Sequence, residues 1–312
     1  MSLTFDRQVT YLSYSSLNLL ETNPLEFYLQ RLGPWNLKPP KMKQTYHMAV
    51  GSSFDSHVKA ALAAKLGLIC PPLDELLKTV EEEAYELVFG TEKKTLPRQY
   101  LIDEGARLLK AYRSTGAFEA LIQDGLTHVE LLPGEQEVPG TKHHLMGREV
   151  KGVPLMGRPD AAFTVAEPEQ TKRSVPHDWK VTFATSPNPG YVRRFDTNQP
   201  MRGYDPAHDR YQEPFEALSV PWATQLTIYH WLLHPYSAES VGFRPAPVSI
   251  DQVLIQVGSP RVQVARFRGK VSGQFQATVR QRLLNAWQKL QANTLLDGLS
   301  IPTDPSLARL MR

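Results

Sequence analysis

The chain has 312 residues, 41% hydrophobic and 21% charged, with a net charge of +3 and a single cysteine. That length holds one sizeable domain with insertions or two small ones. No apolar run reaches membrane-spanning length, and one cysteine, Cys70, excludes an internal disulfide and a cysteine-built zinc or iron–sulfur site. The N-terminus (MSLTFDRQVT) lacks the basic-then-apolar form of a secretion signal, so an intracellular, cytoplasmic location is the default expectation.

Residues 11–32 (YLSYSSLNLLETNPLEFYLQRL) read as two short helices. Ser13 or Ser15 caps the first, and Asn23-Pro24 ends it and starts the second. Leu17, Leu20, Phe27, Tyr28 and Leu32 form an apolar stripe. A further helix spans 49–65, with Ser52 or Ser53 as N-cap and Gly67 as its stop. Asp55 and His57 lie two positions apart on it, so only one of them faces a given site. Residues 73–123 read as helical, with a break at 90–97. Glu81, Glu82 and Glu83 splay around a helix, as a solvated face does.

The pattern then turns β-like. Short runs at 127–134, 141–150 and 153–165 alternate, with Lys151-Gly152 as a hairpin turn. His143 and His144 are adjacent on a strand and point opposite ways, which argues against a shared metal. The strand at 153–165 carries one acid, Asp160, and a second strand at 175–183 carries Asp178 and Lys180. Side chains at i and i+2 share a face of a strand, so Asp178 and Lys180 point the same way. If the two strands pair, Asp160 comes alongside Asp178. Two carboxylates and a lysine make a divalent-metal site with a cation for a phosphate or an attacking water.

Residues 185–219 are rich in Pro, Gly, Arg and Tyr, a connection long enough to be a functional insertion. Tyr191, Arg193, Arg194 and Arg202 within it suit contacts to a phosphate backbone or stacking on bases. Pro221 opens a helix on which Gln225 and Tyr229, at i and i+4, share a face. A two-stranded hairpin about Gly258-Ser259 follows, then a long amphipathic helix carrying Arg280, Arg282 and Lys289. Residues 261–312 hold nine Lys and Arg against two Asp and Glu, leaving the rest at −4. A basic C-terminal part suits a polyanion such as nucleic acid, and a solvated cationic surface fits the charge equally well.

An acid, any residue, then lysine occurs three times: Glu92-Lys93-Lys94, Glu149-Val150-Lys151 and Asp178-Trp179-Lys180. Only the third lies within a β-like run, after Gly157-Arg158-Pro159-Asp160 and before Gln225-x-x-x-Tyr229. With SYSSLNLL near the N-terminus and GSSFDSH at 51–57, this ordered set resembles the PD-(D/E)XK nuclease superfamily. The likeness is to its RecB-type branch of phage and CRISPR-associated exonucleases, and it spans roughly residues 13 to 230.

The resemblance implies an α/β fold. Its core would be restriction-endonuclease-like, a central mixed β-sheet flanked by helices with an N-terminal helical extension. The chain would be a single nuclease-like domain: N-terminal helices at 1–48, a helical region at 49–125, a catalytic core at 126–260 and a basic strand and helix at 261–312. It implies Mg²⁺- or Mn²⁺-dependent hydrolysis of DNA, with no iron–sulfur cluster, as an exonuclease in phage or recombination and repair processing. Asp160, Asp178 and the backbone carbonyl of Trp179 would hold the metal. Lys180 would act on the water or the transition state, and Gln225 and Tyr229 would fix the lysine and the DNA. The family's histidine position falls on Asp55, with His57 two places later as the alternative ligand. DNA, and phage replication or recombination proteins, would be the partners, in the host cytoplasm if the chain is phage-encoded, with no membrane. The competing expectation is a nuclease-like fold that binds DNA or assembles without cutting.

Overall fold

A computed structural model describes residues 7–33, 38, 43–88, 92–129, 146–150, 152–166, 172–182, 201–205, 210–215, 220–233, 248–257 and 262–295. The chain is a mixed α/β protein. Helices α1 (Tyr14–Thr22) and α2 (Pro24–Arg31) come first. Ser13 caps α1 in a capping box with Ser16, and Asn23 caps α2 with Pro24 at its first position. Arg7 closes the other end of α2, its guanidinium donating to the carbonyls of Gly33, Gln30 and Leu29 at 2.6, 3.0 and 2.8 Å.

Helix α3 (Tyr46–Leu66) starts earlier than its serines suggest. Thr45 accepts the capping hydrogen bond from Met48, and Ser52 and Ser53 lie inside the helix. Gly67 ends it with φ of +66°, a left-handed conformation suited to glycine. The helical expectation for 73–123 holds only in part. A short α4 (Leu73–Leu76) runs into a 3₁₀ turn (Leu77–Thr79), and then β1 (Glu83–Val88) pairs antiparallel with β2 (Glu92–Pro97). Tyr85, Leu87 and Val88 favour strand, and the hairpin partner decides what local helix propensity does not. Glu83 is therefore a strand residue. Helices α5 (Arg98–Ser114) and α6 (Ala117–Gln123) complete this part.

The remaining strands are β3 (Leu126–Val129), β4 (Met146–Val150), β5 (Val153–Gly157), β6 (Ala161–Ala166), β7 (Lys172–Thr182), β8 (Met201–Asp205), β9 (Arg210–Phe215), β10 (Val248–Val257) and β11 (Val262–Val271). Helix α7 (Val220–Leu233) lies between β9 and β10, and α8 (Gly273–Gln291) follows β11. The central sheet is mixed, in the order β11-β10-β7-β6-β3, with β7 and β10 parallel and the other pairs antiparallel. Separate two-stranded hairpins are β1–β2, β4–β5 and β8–β9.

One sequence reading of the strands is corrected here. The strand expected over 153–165 is broken at Arg158-Pro159-Asp160 into β5 and β6, which pair with different neighbours. Pro159 has no N–H and restricts the residue before it, so the ladder cannot run through. The long connection read over 185–219 contains the β8–β9 hairpin. The basic strand expected after 261 is β11, which pairs with β10 and so belongs to the central sheet.

Two apolar clusters hold the fold. One joins α1, α2, β5, α7 and α8 through Leu17, Phe27, Leu155, Leu226, Trp231 and Leu283. The other joins α3, α5 and α6 to the sheet through Phe54, Leu62, Leu108, Tyr112, Phe118 and Trp179. Their buried aromatics meet edge-on, Phe54 with Tyr112 at 5.9 Å and Tyr112 with Phe118 at 6.2 Å between ring centroids. Gly105 lets α5 approach α3 closely: a Cβ there would lie 2.7 Å from the backbone nitrogen of Phe54. No helix among the described residues is long and apolar enough to cross a membrane.

Candidate active site

Strand alternation on β7 divides its side chains between two jobs. Trp179 enters the cluster under α3 and α5, while Asp178 and Lys180 turn to the opposite face, where α7 packs. The Lys180 ammonium pairs with Asp178 Oδ2 at 2.8 Å. Asp160 stands at the break just before β6. The β6–β7 ladder pairs Ala161 with His177, so one step further Asp160 lies beside Asp178. The Trp179 N–H donates to Asp160 Oδ2 at 3.4 Å.

Helix α7 closes the face above. Its Gln225 amide donates to the Tyr229 hydroxyl at 2.9 Å and approaches Asp178 Oδ1 at 3.5 Å. Gly157 is what lets α7 come so near β5: a Cβ there would meet the tip of Leu232 at 2.6 Å and the Tyr229 ring at 3.1 Å. From the other side α3 contributes Asp55 and Lys59, one helical turn apart. The Lys59 ammonium lies 2.8 Å from Asp55 Oδ2 and 3.4 Å from Asp160 Oδ1. The side chains of Asp178, Asp160 and Asp55 are 3%, 24% and 37% exposed, so Asp178 forms the floor and the other two lie toward the opening.

Electrostatics separates the acids. Burial, reinforced by the neighbouring Asp160 charge and a hydrogen bond to its carboxyl, pushes Asp178 up to about 7 against the pull of Lys180. Burial also acts on Asp160, but Lys59 and Lys180, with hydrogen bonds from Asp178 and the Trp179 N–H, hold it below the usual carboxylate range. The two acids titrate as an interacting pair, Asp178 pushed up and Asp160 held down. Asp55 is pushed up to about 6 by desolvation and by the Asp160 charge, with Lys59 opposing. Desolvation works against the Lys180 ammonium, yet Asp178 and Asp160 more than offset it, and the group stays charged. Burial, then the two aspartates, raises Tyr229 well above an ordinary phenol, so it remains a neutral donor.

Asp160, Asp178, Lys180, Gln225, Tyr229 and, through Lys59, Asp55 are thus brought together. His57 is not: its Nδ1 lies 2.8 Å from the Ser53 carbonyl of its own helix. The Trp179 ring packs edge-on to His177 at 4.7 Å between centroids, leaving only its backbone near the acids. Tyr191, Arg193, Arg194, His143 and His144 lie outside the described residues, and Arg202 is placed by its backbone alone, on β8. Among the described residues no three His, Cys, Asp or Glu side chains converge as a ready ligand set.

Sequence reasoning missed Lys59, although its place four residues after Asp55 was a usable helical signal. It also missed what Arg282 does. From α8 this arginine grips Glu21 of α1, Nε to Oε1 at 2.9 Å and Nη2 to Oε2 at 2.5 Å, and donates to Thr224 Oγ1 beside Gln225 at 3.2 Å. Tyr14, on α1, senses the charges of Lys180, Arg282, Asp178 and Glu21, though burial is the main cause of its raised pKa.

Compared with protein families and with characterised proteins, the sequence matches none. Among solved structures, the crystal structure of SSO0001 aligns over 87% of this chain and 84% of that one, at 10% identity and a TM-score of 0.25. A likeness of that size carries no weight for fold or function.

Proposed function

We propose that this protein is a metal-dependent nuclease of the PD-(D/E)XK type, hydrolysing DNA phosphodiester bonds, with β6, β7, β10 and α7 as its restriction-endonuclease-like core. One observation carries the reading. Two aspartates from neighbouring strands stand side by side across the β6–β7 ladder, with Lys180 on one of them, the Trp179 N–H on the other and the Gln225–Tyr229 pair above. A carboxyl pair of this kind is an acceptor set short of positive charge, which a hard divalent cation supplies. Asp160 and Asp178, with the Trp179 carbonyl, would hold Mg²⁺ or Mn²⁺. The chemistry such an ion supplies when bound is activation of a water and neutralisation of charge on a phosphate.

The chain's own side chains do the rest. Lys180, kept charged by Asp178, presents an ammonium that orients a water or stabilises the oxyanion building at phosphorus. Gln225, backed by Tyr229, braces Asp178 on the α7 side, and Asp178 in turn fixes Lys180. By the same reading, DNA is the substrate, and the setting is exonucleolytic processing in phage replication or in recombination and repair.

A second reading, a nuclease-like fold that binds DNA without cutting it, draws on Lys59, whose ammonium sits between two of the three acids. End-labelled linear and circular DNA, incubated with Mg²⁺, Mn²⁺ or EDTA beside Asp178→Ala, separates the two. The nuclease reading expects metal-dependent degradation that the variant lacks, and an exonuclease spares the circle. Retained binding with no cleavage in any metal would establish the second reading instead.

A further inference from the structure

Two lysines, not one, stand against the carboxylates. Lys180 comes along β7 and pairs with Asp178, while Lys59 comes from α3 and spans Asp55 and Asp160 at 2.8 and 3.4 Å. Lys59 is the more deeply placed, its side chain 9% exposed against 27% for Lys180. An ammonium buried this far is stabilised by the acids it pairs with, and moving it away from them would leave a charge uncompensated in a poorly hydrated place. Its helix has little room to retreat. Gly105 of α5 presses on the backbone of α3 at Phe54, and Ser56 Oγ donates to the Leu76 carbonyl at 2.9 Å.

The charge balance points the same way. With all groups ionised, Asp55, Asp160 and Asp178 against Lys59 and Lys180 leave a single negative charge. One divalent ion turns that into a single positive charge, suited to a phosphate. A second would add two more positive charges at the place Lys59 already occupies.

Resting on the nuclease reading, we propose that Lys59 is a fixed cation in the position a second metal ion would take, so that the site binds one divalent ion through Asp160 and Asp178 while Asp55 serves to position Lys59. Lys59 is a positioning residue here, acting on substrate only through the charge it gives the carboxylates.

Mn²⁺ binding to the full chain, counted by calorimetry and by the loss of the free-ion paramagnetic resonance signal, tests this without reference to turnover. The wild type is expected to bind one Mn²⁺, Lys59→Met two, Lys59→Arg one and the Asp55→Asn/Lys59→Met double variant one. Asp55→Asn alone, which leaves the lysine on Asp160, should keep the single ion with affinity within about three-fold of wild type, a ratio small on the scale where tenfold is 1.4 kcal/mol. It serves if Lys59→Met does not fold. Two ions on the wild type, one on a folded Lys59→Met, or loss of Mn²⁺ from Asp55→Asn would each overturn the inference and leave the nuclease reading standing. No Mn²⁺ on the wild type or on any variant overturns both.

Discussion

Asp178→Asn should abolish cleavage and at the same time make the metal-free protein more stable. The Asp178 carboxyl is 3% exposed and its folded pKa is pushed up to about 7, from 3.8 in an unconstrained chain. Between those two values the folded state holds a proton that the unfolded state has released. Stability is therefore lost as pH rises from about 4 through about 7, and is level above that. A gap of about three units at 1.4 kcal/mol each sets an upper bound of about 4 kcal/mol. Asparagine removes that cost while keeping the shape. Its amide oxygen can accept from Gln225 and Lys180, and its NH₂ can donate to Asp160. The pull of Lys180 is already contained in that folded value, and what reduces the gain is the weaker hydrogen bonding of an amide, so a net gain of about 1–3 kcal/mol is expected at pH 8. Urea unfolding of both proteins in EDTA, at half-unit steps from pH 4 to 8, measures the difference directly. It should be near zero at pH 4, grow through pH 5–7 and then hold constant. Saturating Mg²⁺ should reverse it by stabilising the wild type alone. A difference independent of pH, or an Asp178→Asn protein less stable than wild type in EDTA at pH 8, would refute the buried, interacting carboxyl pair.

Lys180→Met should lower the single-turnover cleavage rate by roughly 10²–10³-fold while DNA affinity, read by fluorescence anisotropy, changes by only a few-fold. Gly105→Ala gains about 1 kcal/mol of helix propensity, but its Cβ would lie 2.1 Å from Ser53 Oγ and 2.7 Å from the Phe54 nitrogen. The hydroxyl can rotate and the backbone cannot, so a net loss of about 1–3 kcal/mol is expected in urea unfolding. Arg282→Gln loses the two-pronged grip on Glu21 at a partly exposed site, and unfolding should show a loss of about 1 kcal/mol.

Local chemistry was the legible part of this sequence. The caps at Ser13 and Asn23, the stop at Gly67, the turn at Gly152 and the pairing of Gln225 with Tyr229 all depend on neighbours within a few residues, and each is found. So does the shared face of Asp178 and Lys180. β1 reads as helix from the sequence, where Leu77, Val80, Ala84 and Leu87 fall at helical spacing, while β2 falls in the break expected at 90–97, and only the pairing of the two strands reveals the hairpin. The break at Pro159 is legible in the sequence, since a proline in a strand signals an edge or an end. Arg282 with Glu21 had no such signal, being 261 residues apart in sequence and joined only when α8 packs on α1.

The acids are tied to the core by the register of one strand. β7 is pinned on both edges, antiparallel to β6 with Ala161 opposite His177 and parallel to β10 with Trp179 opposite Val253. A slip of one residue would exchange its faces, carrying Asp178 under α3 and α5 and Trp179 out toward α7. Burying an unpaired carboxylate among Phe54, Leu62 and Leu108 costs several kcal/mol, and losing the indole from that cluster adds to it. The same alternation that seats Trp179 therefore holds Asp178 against Asp160, even though the metal-free pair is itself destabilising. The core supplies the free energy that keeps the two carboxyls together, and on the nuclease reading a bound cation would return part of it.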